Sequence, residues 1–185
     1  LLVIARDTTD VKRAEEALRA SEERLRLVNE AAKIGTYDAD VRTGQTLFSP
    51  ELCEILGLSP GYTESQPERV LEFVHPEDRD LVRAAVAKAS DPAGDGVSRG
   101  ELRITRPGGE VRWISWSGRT FFEDTPQGRV PVRAVGACID VTQRRAAEEA
   151  LRQREEALRE SEEKFRSLAE NMHAAVGMVQ GTRFI

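Results

Sequence analysis

The sequence predicts an α+β fold: a five-stranded antiparallel sheet with short helices on one face, flanked by long coiled-coil-like helices. Three observations lead there. Between Ile34 and Thr142 the chain breaks into short alternating segments punctuated by Gly and Pro, in the order two strands, several short helices, three strands. On either side lies a stretch with apolar residues three and four apart on a densely charged background. The element DTTDVKRAEEALR at Asp7 to Arg19 also returns as DVTQRRAAEEALR at Asp140 to Arg152, so the folded part sits between two copies of one motif.

Aligning the copies places Asp7 on Asp140 and Thr9 on Thr142, and makes Ala14 to Arg19 identical to Ala147 to Arg152. Downstream, SEERLR at Ser21 to Arg26 matches SEEKFR at Ser161 to Arg166 only after the second copy is lengthened by one heptad. An insertion of three or four residues would rotate everything beyond it about the helix axis, whereas seven adds two turns and keeps the apolar seam facing the same way. An apolar run precedes each copy, LLVIA at Leu1 to Ala5 and AVGACI at Ala134 to Ile139. The expected organisation is therefore the last strand of a preceding unit at 1–10 and a linker helix at 11–32. A folded domain follows at 33–142, then an output helix at 143–171 and the start of a following unit at 172–185.

Composition narrows the function classes. A hydrophobic content of 39% with 32% charged residues fits a globular domain carrying long exposed helices. No run approaches the roughly 18 apolar residues of a membrane span, and no leader pattern is present, so a cytoplasmic location is expected. The net charge of −5 is made of interspersed signs, with no basic stripe for nucleic acid. Cys53 and Cys138 form neither a metal spacing nor a disulfide framework and read as reduced, packed thiols.

Taken in order, Val11, Ala14, Leu18, Ser21, Leu25, Val28 and Ala32 draw a narrow seam along the first helix. Pairs such as Glu15 with Arg19 and Glu22 with Arg26 support it at i, i+4. Gly35 to Val41 and Gln45 to Phe48 read as a hairpin turned at Thr43 and Gly44. Ser49 before Pro50 caps a short helix that stops at Gly57. Glu68 to Phe73 is a further helical turn, and Pro76 to Ala89 a one-sided helix presenting Leu81, Val82, Ala85, Val86 and Ala89. Strands at Gly100 to Thr105, Glu110 to Phe122 and Val130 to Ile139 follow, joined through RPGGE at Arg106 to Glu110 and a turn near Thr125 to Gly128. Trp113 and Trp116 differ by three, so one enters the core and the other lies on the outer face, where a charged helix or a second subunit is expected to cover it. After Asp140 the seam resumes at Leu151, Leu158, Phe165 and Leu168, with Arg154 and Ser161 where a strong coiled coil would place Leu.

Five pieces of the middle section, in order, carry a family resemblance. They are IGTYDAD at Ile34 to Asp40, FSPELCEILGL at Phe48 to Leu58, FVHPEDR at Phe73 to Arg79, RPGGEVRWI at Arg106 to Ile114 and VGACIDVTQRRAAEEAL at Val135 to Leu151. Together they resemble a PAS domain with its PAC segment, of the kind found in tandem in bacterial sensor histidine kinases and cyclic-dinucleotide enzymes of two-component and related signal transduction. Where the family usually has Trp in the first strand, this chain has Tyr37. The resemblance implies a five-stranded sheet cupping short helices, used to sense a ligand or relay a signal, without catalytic activity of its own. It also implies that Asp140 and Thr142 form the junction between core and output helix. Both side chains suit the unpaired N–H groups of a helix start, and Asp140 is expected to pair with a base on the neighbouring strand, Arg112 first, beside Trp113.

Candidate chemistry elsewhere reads as structure. His75 precedes Pro76, Glu77 and Asp78, a helix-start pattern, and is not expected to bind haem or metal. Haem-binding members place a His inside the long helix, and Pro76 to Ala89 has none. The Asn-Cys-Arg-Phe motif through which flavin-binding members form an adduct is absent. His173 lies in ENMHAAV with no ATP-binding motif near it, and Gly108 and Gly109 belong to a hairpin. No catalytic residues and no metal or haem or flavin cofactor are expected, although an unidentified small ligand is compatible with the family. The expected function is sensing and relay through flanking helices paired in a homodimer, in contact with neighbouring PAS and effector domains of the same chain. The alternative is a ligand-free spacer and dimerisation unit.

Overall fold

The computed structural model describes residues 9–64 and 67–181. The chain divides into two units, Leu1–Val141 and Thr142–Ile185. The first contains α1 (Thr9–Ala32), β1 (Gly35–Asp40), β2 (Thr46–Phe48), α2 (Pro50–Leu56), β3 (Thr63–Glu64), α3 (Arg79–Ala89), β4 (Val97–Thr105), β5 (Val111–Thr125) and β6 (Gly128–Asp140). Two 3-10 turns, Pro67–Glu72 and Pro76–Asp78, precede α3. The second unit is α4 (Thr142–Gly181).

The α+β class stands, but the sheet has six antiparallel strands, not five, in the order β3-β2-β1-β6-β5-β4. The additional strand is Thr63–Glu64, which pairs with Thr46 and Leu47. Two residues carry no alternation, and its identity as a strand comes from the partner edge alone. β1 lies beside β6, from Gly35 opposite Cys138 to Asp40 opposite Arg133, so the first and last strands of the domain share the centre of the sheet. The pairing of β5 with β6 slips by one residue at Phe121 and Phe122, where Pro131 follows the bulged Val132 in the register.

The core lies between the inner face of the sheet and α2. Leu52, Ile55 and Leu56 of α2 pack on Leu102, Ile104, Ile114 and Cys138, the inward residues of β4, β5 and β6. A Cβ on Gly35 would stand 2.7 Å from the Leu52 Cα, so α2 lies almost in van der Waals contact with the β1 backbone and leaves room only for glycine. α2 is delimited as its sequence suggests. The Ser49 hydroxyl accepts the Leu52 N–H, Pro50 opens the helix, and Gly57 at φ 73° closes it.

α1 ends by the same device with a less suited residue. The Ile34 N–H bonds the Asn29 carbonyl at 2.8 Å and the Lys33 N–H bonds Glu30 at 3.1 Å, matching Leu58 to Cys53 and Gly57 to Glu54 in α2. Lys33 takes the left-handed φ of 52° that Gly57 takes at less cost. The side chains of α1 from Val11 onward are exposed apart from Asn29. Its charges pair differently from the simple i, i+4 expectation, with Arg26 bonded to Glu23 and Glu30 instead of Glu22.

Two helix boundaries differ from the sequence reading. The expected helix at Pro76 to Ala89 begins as a 3-10 turn before α3. The helix expected to end at 171 continues through 172–181, a segment free of Pro whose glycines are Gly177 and the terminal Gly181. The expected strand at Leu1 to Ala5 and the residues after Gly181 lie outside the described residues.

Candidate functional site

Alternation along the strands sorts side chains onto two faces. Trp116 faces inward and joins the core, and Trp113 lies on the outer face, half-buried. The cover within the described residues comes from a neighbouring strand, where a charged helix or a second subunit was expected: Arg103, directly opposite in register, places its guanidinium 5.6 Å from the Trp113 ring centre.

That arginine is anchored by the FVHPEDR segment. The His75 N–H bonds the Arg103 carbonyl at 2.9 Å and the Thr105 N–H bonds Phe73, so the segment continues the sheet edge beyond β4. Asp78 then accepts the Arg103 backbone N–H at 2.7 Å and its guanidinium at 2.6 Å. His75 caps the 3-10 turn, with Nδ1 accepting the Glu77 N–H. The histidine thus occupies the helix-start position expected of it.

The inner face forms a cavity of about 340 Å³. Its floor is aromatic. The Tyr37 ring lies on the backbone of Gly136, where an added Cβ would meet it at 2.5 Å, its hydroxyl lies 2.4 Å from the same position at Gly118, and the Trp116 ring lies over Gly100. Phe73, Leu56 and Leu102 form further walls, and α3 contributes Val82 and Val86. Val86 is 57% exposed although it lines the cavity, so this side of α3 is not closed against the sheet. Burial pushes the Tyr37 phenol up to about 12, so it remains a neutral donor. Its Oη and the Ser98 Oγ both approach the position beside Gly118. Neither has a hydrogen-bond partner among the described residues. Cys138 also lines the cavity, and burial raises its thiol to about 12, leaving it unreactive packing.

At the far end of β6 three of the four predicted junction residues, Arg112, Trp113 and Asp140, come together. Arg112 donates through Nη1 to Asp140 Oδ2 at 2.9 Å, and the Val141 N–H bonds the Trp113 carbonyl at 2.9 Å. Thr142 opens α4 and belongs to the second unit. Two residues that sequence reasoning passed over complete the ion cluster. Glu110 accepts from Arg112 Nε at 2.9 Å and from Arg106 Nη1 at 3.0 Å. Arg106 in turn donates to the Ile55 carbonyl at 3.0 Å and to the Glu54 carbonyl, both at the end of α2. The Arg-x-x-x-Glu-x-Arg spacing across the hairpin was the available signal, because a closed turn brings its two ends side by side. The seam residues Leu18, Leu25 and Val28 on α1 and Leu151, Leu158, Phe165 and Leu168 on α4 are all at least 54% exposed.

A sheet of this order, with helices packed on its inner face, defines an α+β module whose fold the comparisons place in a family. A family profile described as the PAS fold matches residues 45–136. A solved sensory box histidine kinase/response regulator from Burkholderia thailandensis superposes with a TM-score of 0.59 at 31% identity, covering 74% of this chain and 98% of that one. The chain belongs to the PAS family. It is also 30% identical over 69% of its length to a blue-light-activated histidine kinase of Brucella anthropi, and 33% identical over 56% to a methyl sulfide methyltransferase-associated sensor of Methanosarcina acetivorans. It spans 24% and 10% of those two proteins. PAS domains of this kind are sensory, non-catalytic modules of signalling proteins, and no helix among the described residues is long and apolar enough to cross a membrane.

Proposed function

We propose that this chain is the sensory and relay module of a larger cytoplasmic signal transduction protein. In this reading a small, mostly apolar molecule occupies the cavity, and the resulting change at the sheet passes onward through helices paired with those of a second copy. The cavity carries the proposal. Protein interiors pack to a density of about 0.75, and a space of about 340 Å³ walled by aliphatic and aromatic carbon forgoes contacts that a ligand restores. Tyr37 Oη and Ser98 Oγ supply hydrogen-bonding groups to fix its orientation. The flavin-adduct motif is absent and α3 carries no histidine, which favours a colourless ligand over flavin or haem.

Pairing of the helices is supported by their exposed seams, which gain most by burial against a copy of themselves. The junction at Arg112, Trp113, Asp140 and Thr142 is where such a change would enter α4. Catalysis belongs to a neighbouring effector domain, a histidine kinase or a cyclic-dinucleotide enzyme, in keeping with the kinase relatives. Native mass spectrometry and an absorption spectrum of the purified chain test this. A dimer retaining a small molecule, without visible colour, is the expected result. A dimer of bare mass whose melting temperature ignores added cell extract would instead establish the ligand-free spacer.

A further inference from the structure

The two arginines and one glutamate of the β4–β5 hairpin touch two elements that are far apart in sequence, α2 and β6. Arg106 is 17% exposed and grips two successive carbonyls at the end of α2, with its Cγ and Cδ lying against Gly57. Glu110 is shared, one carboxylate oxygen to each arginine. Arg112 and Asp140, 29% and 27% exposed, close the series at the end of β6. Each contact is charge-assisted, and the two arginines take several partners each, so the planar groups fix direction as well as distance. Isolated surface ion pairs hold little, but a connected series of partly buried ones is ordered by its neighbours.

We infer that Arg106, Glu110 and Arg112 are positioning residues that couple the placement of α2, a wall of the cavity, to the end of β6 from which α4 departs. Leu52 and Leu56 of α2 face the cavity, so a displacement of α2 carries the Ile55 and Glu54 carbonyls with it. Arg106 follows those carbonyls, Glu110 follows Arg106, and the hold of Arg112 on Asp140 changes. The linkage is a property of the protein itself and does not require that a ligand be identified. Failure of the sensing reading and failure of this one are therefore separable.

The test combines hydrogen exchange with a mutant cycle on the whole chain. Glu110→Gln keeps the shape of an exposed hairpin side chain and weakens both its bonds. Exchange at Gly57 and Leu58, and at Val141, should rise together by about fivefold, while Arg83→Gln, which breaks an exposed pair on α3, should leave all three unchanged. Arg106→Gln and Arg112→Gln should be non-additive in stability with Glu110 present and additive in the Glu110→Gln background. Faster exchange confined to residues 106–110, or additivity in both backgrounds, overturns the linkage.

Discussion

Asp78 accepts the backbone N–H of Arg103 at 2.7 Å and the same residue's guanidinium at 2.6 Å, so one carboxylate fixes both a strand edge and the cation that covers Trp113. The Arg103 guanidinium and then the backbone N–H hold the Asp78 carboxyl below its ordinary range. A folded-state pKa lowered in this way contributes stability that is complete above the unfolded value near 4 and is lost as pH falls through the folded value. Asp78→Asn should therefore cost about 1–3 kcal/mol at pH 7 and progressively less as pH falls below about 4. Urea titrations of both proteins across that range measure the convergence.

Gly35→Ala tests the closeness of α2 to the sheet. Its Cβ would meet backbone as well as side-chain atoms of Leu52, which cannot rotate away. The expected loss is about 2–3 kcal/mol, seen as a lower urea midpoint with an unchanged slope.

Lys33→Gly should act in the opposite direction. The position already has the left-handed backbone of a helix-terminating residue, and Gly adopts it without a Cβ penalty. A gain of about 0.5–1 kcal/mol is expected, and a loss in calorimetry would mean that the Lys33 side chain contributes more than its backbone costs.

The cysteines should be silent in the native protein. Both are buried, and burial pushes the Cys138 thiol up to about 12. A thiol reagent at pH 8 should label neither until the chain is denatured, and should then label both.

Arg154→Leu with Ser161→Leu should strengthen any dimer formed through α4 by roughly tenfold or more, because both positions fall on the seam of Leu151, Leu158 and Phe165. Sedimentation equilibrium of the two proteins decides it. No change in association would remove α4 as the dimer contact.

Legibility in the sequence followed how local each signal was. α2 was readable to the residue because Ser49, Pro50 and Gly57 are all punctuation acting within one turn of the helix. The Arg112 to Asp140 pair was readable because both sit at ends of adjacent strands in a recognised order. β3 was not, since two residues have no period and only the edge of β2 makes them a strand. The cavity was hidden for a related reason: Tyr37, Gly118 and Gly136 are separated along three strands, and only their register shows that the glycines make room for one ring. The covering of Trp113 by Arg103 likewise required the register of β4 on β5.

One residue of backbone, Val141, lies between the last residue of β6 and the first of α4, and its N–H is tied to the Trp113 carbonyl. α4 has 40 residues, which at 1.5 Å per residue makes a rod of about 60 Å, so that in the proposed relay a tilt of about 5° at its first turn would sweep the far end through about 5 Å. Under the proposed relay, a strand-end adjustment too small to disturb the packing of the core would arrive at the far end of α4 as a displacement the width of a side chain. In the proposed relay, mechanical advantage would take the place of a large conformational change.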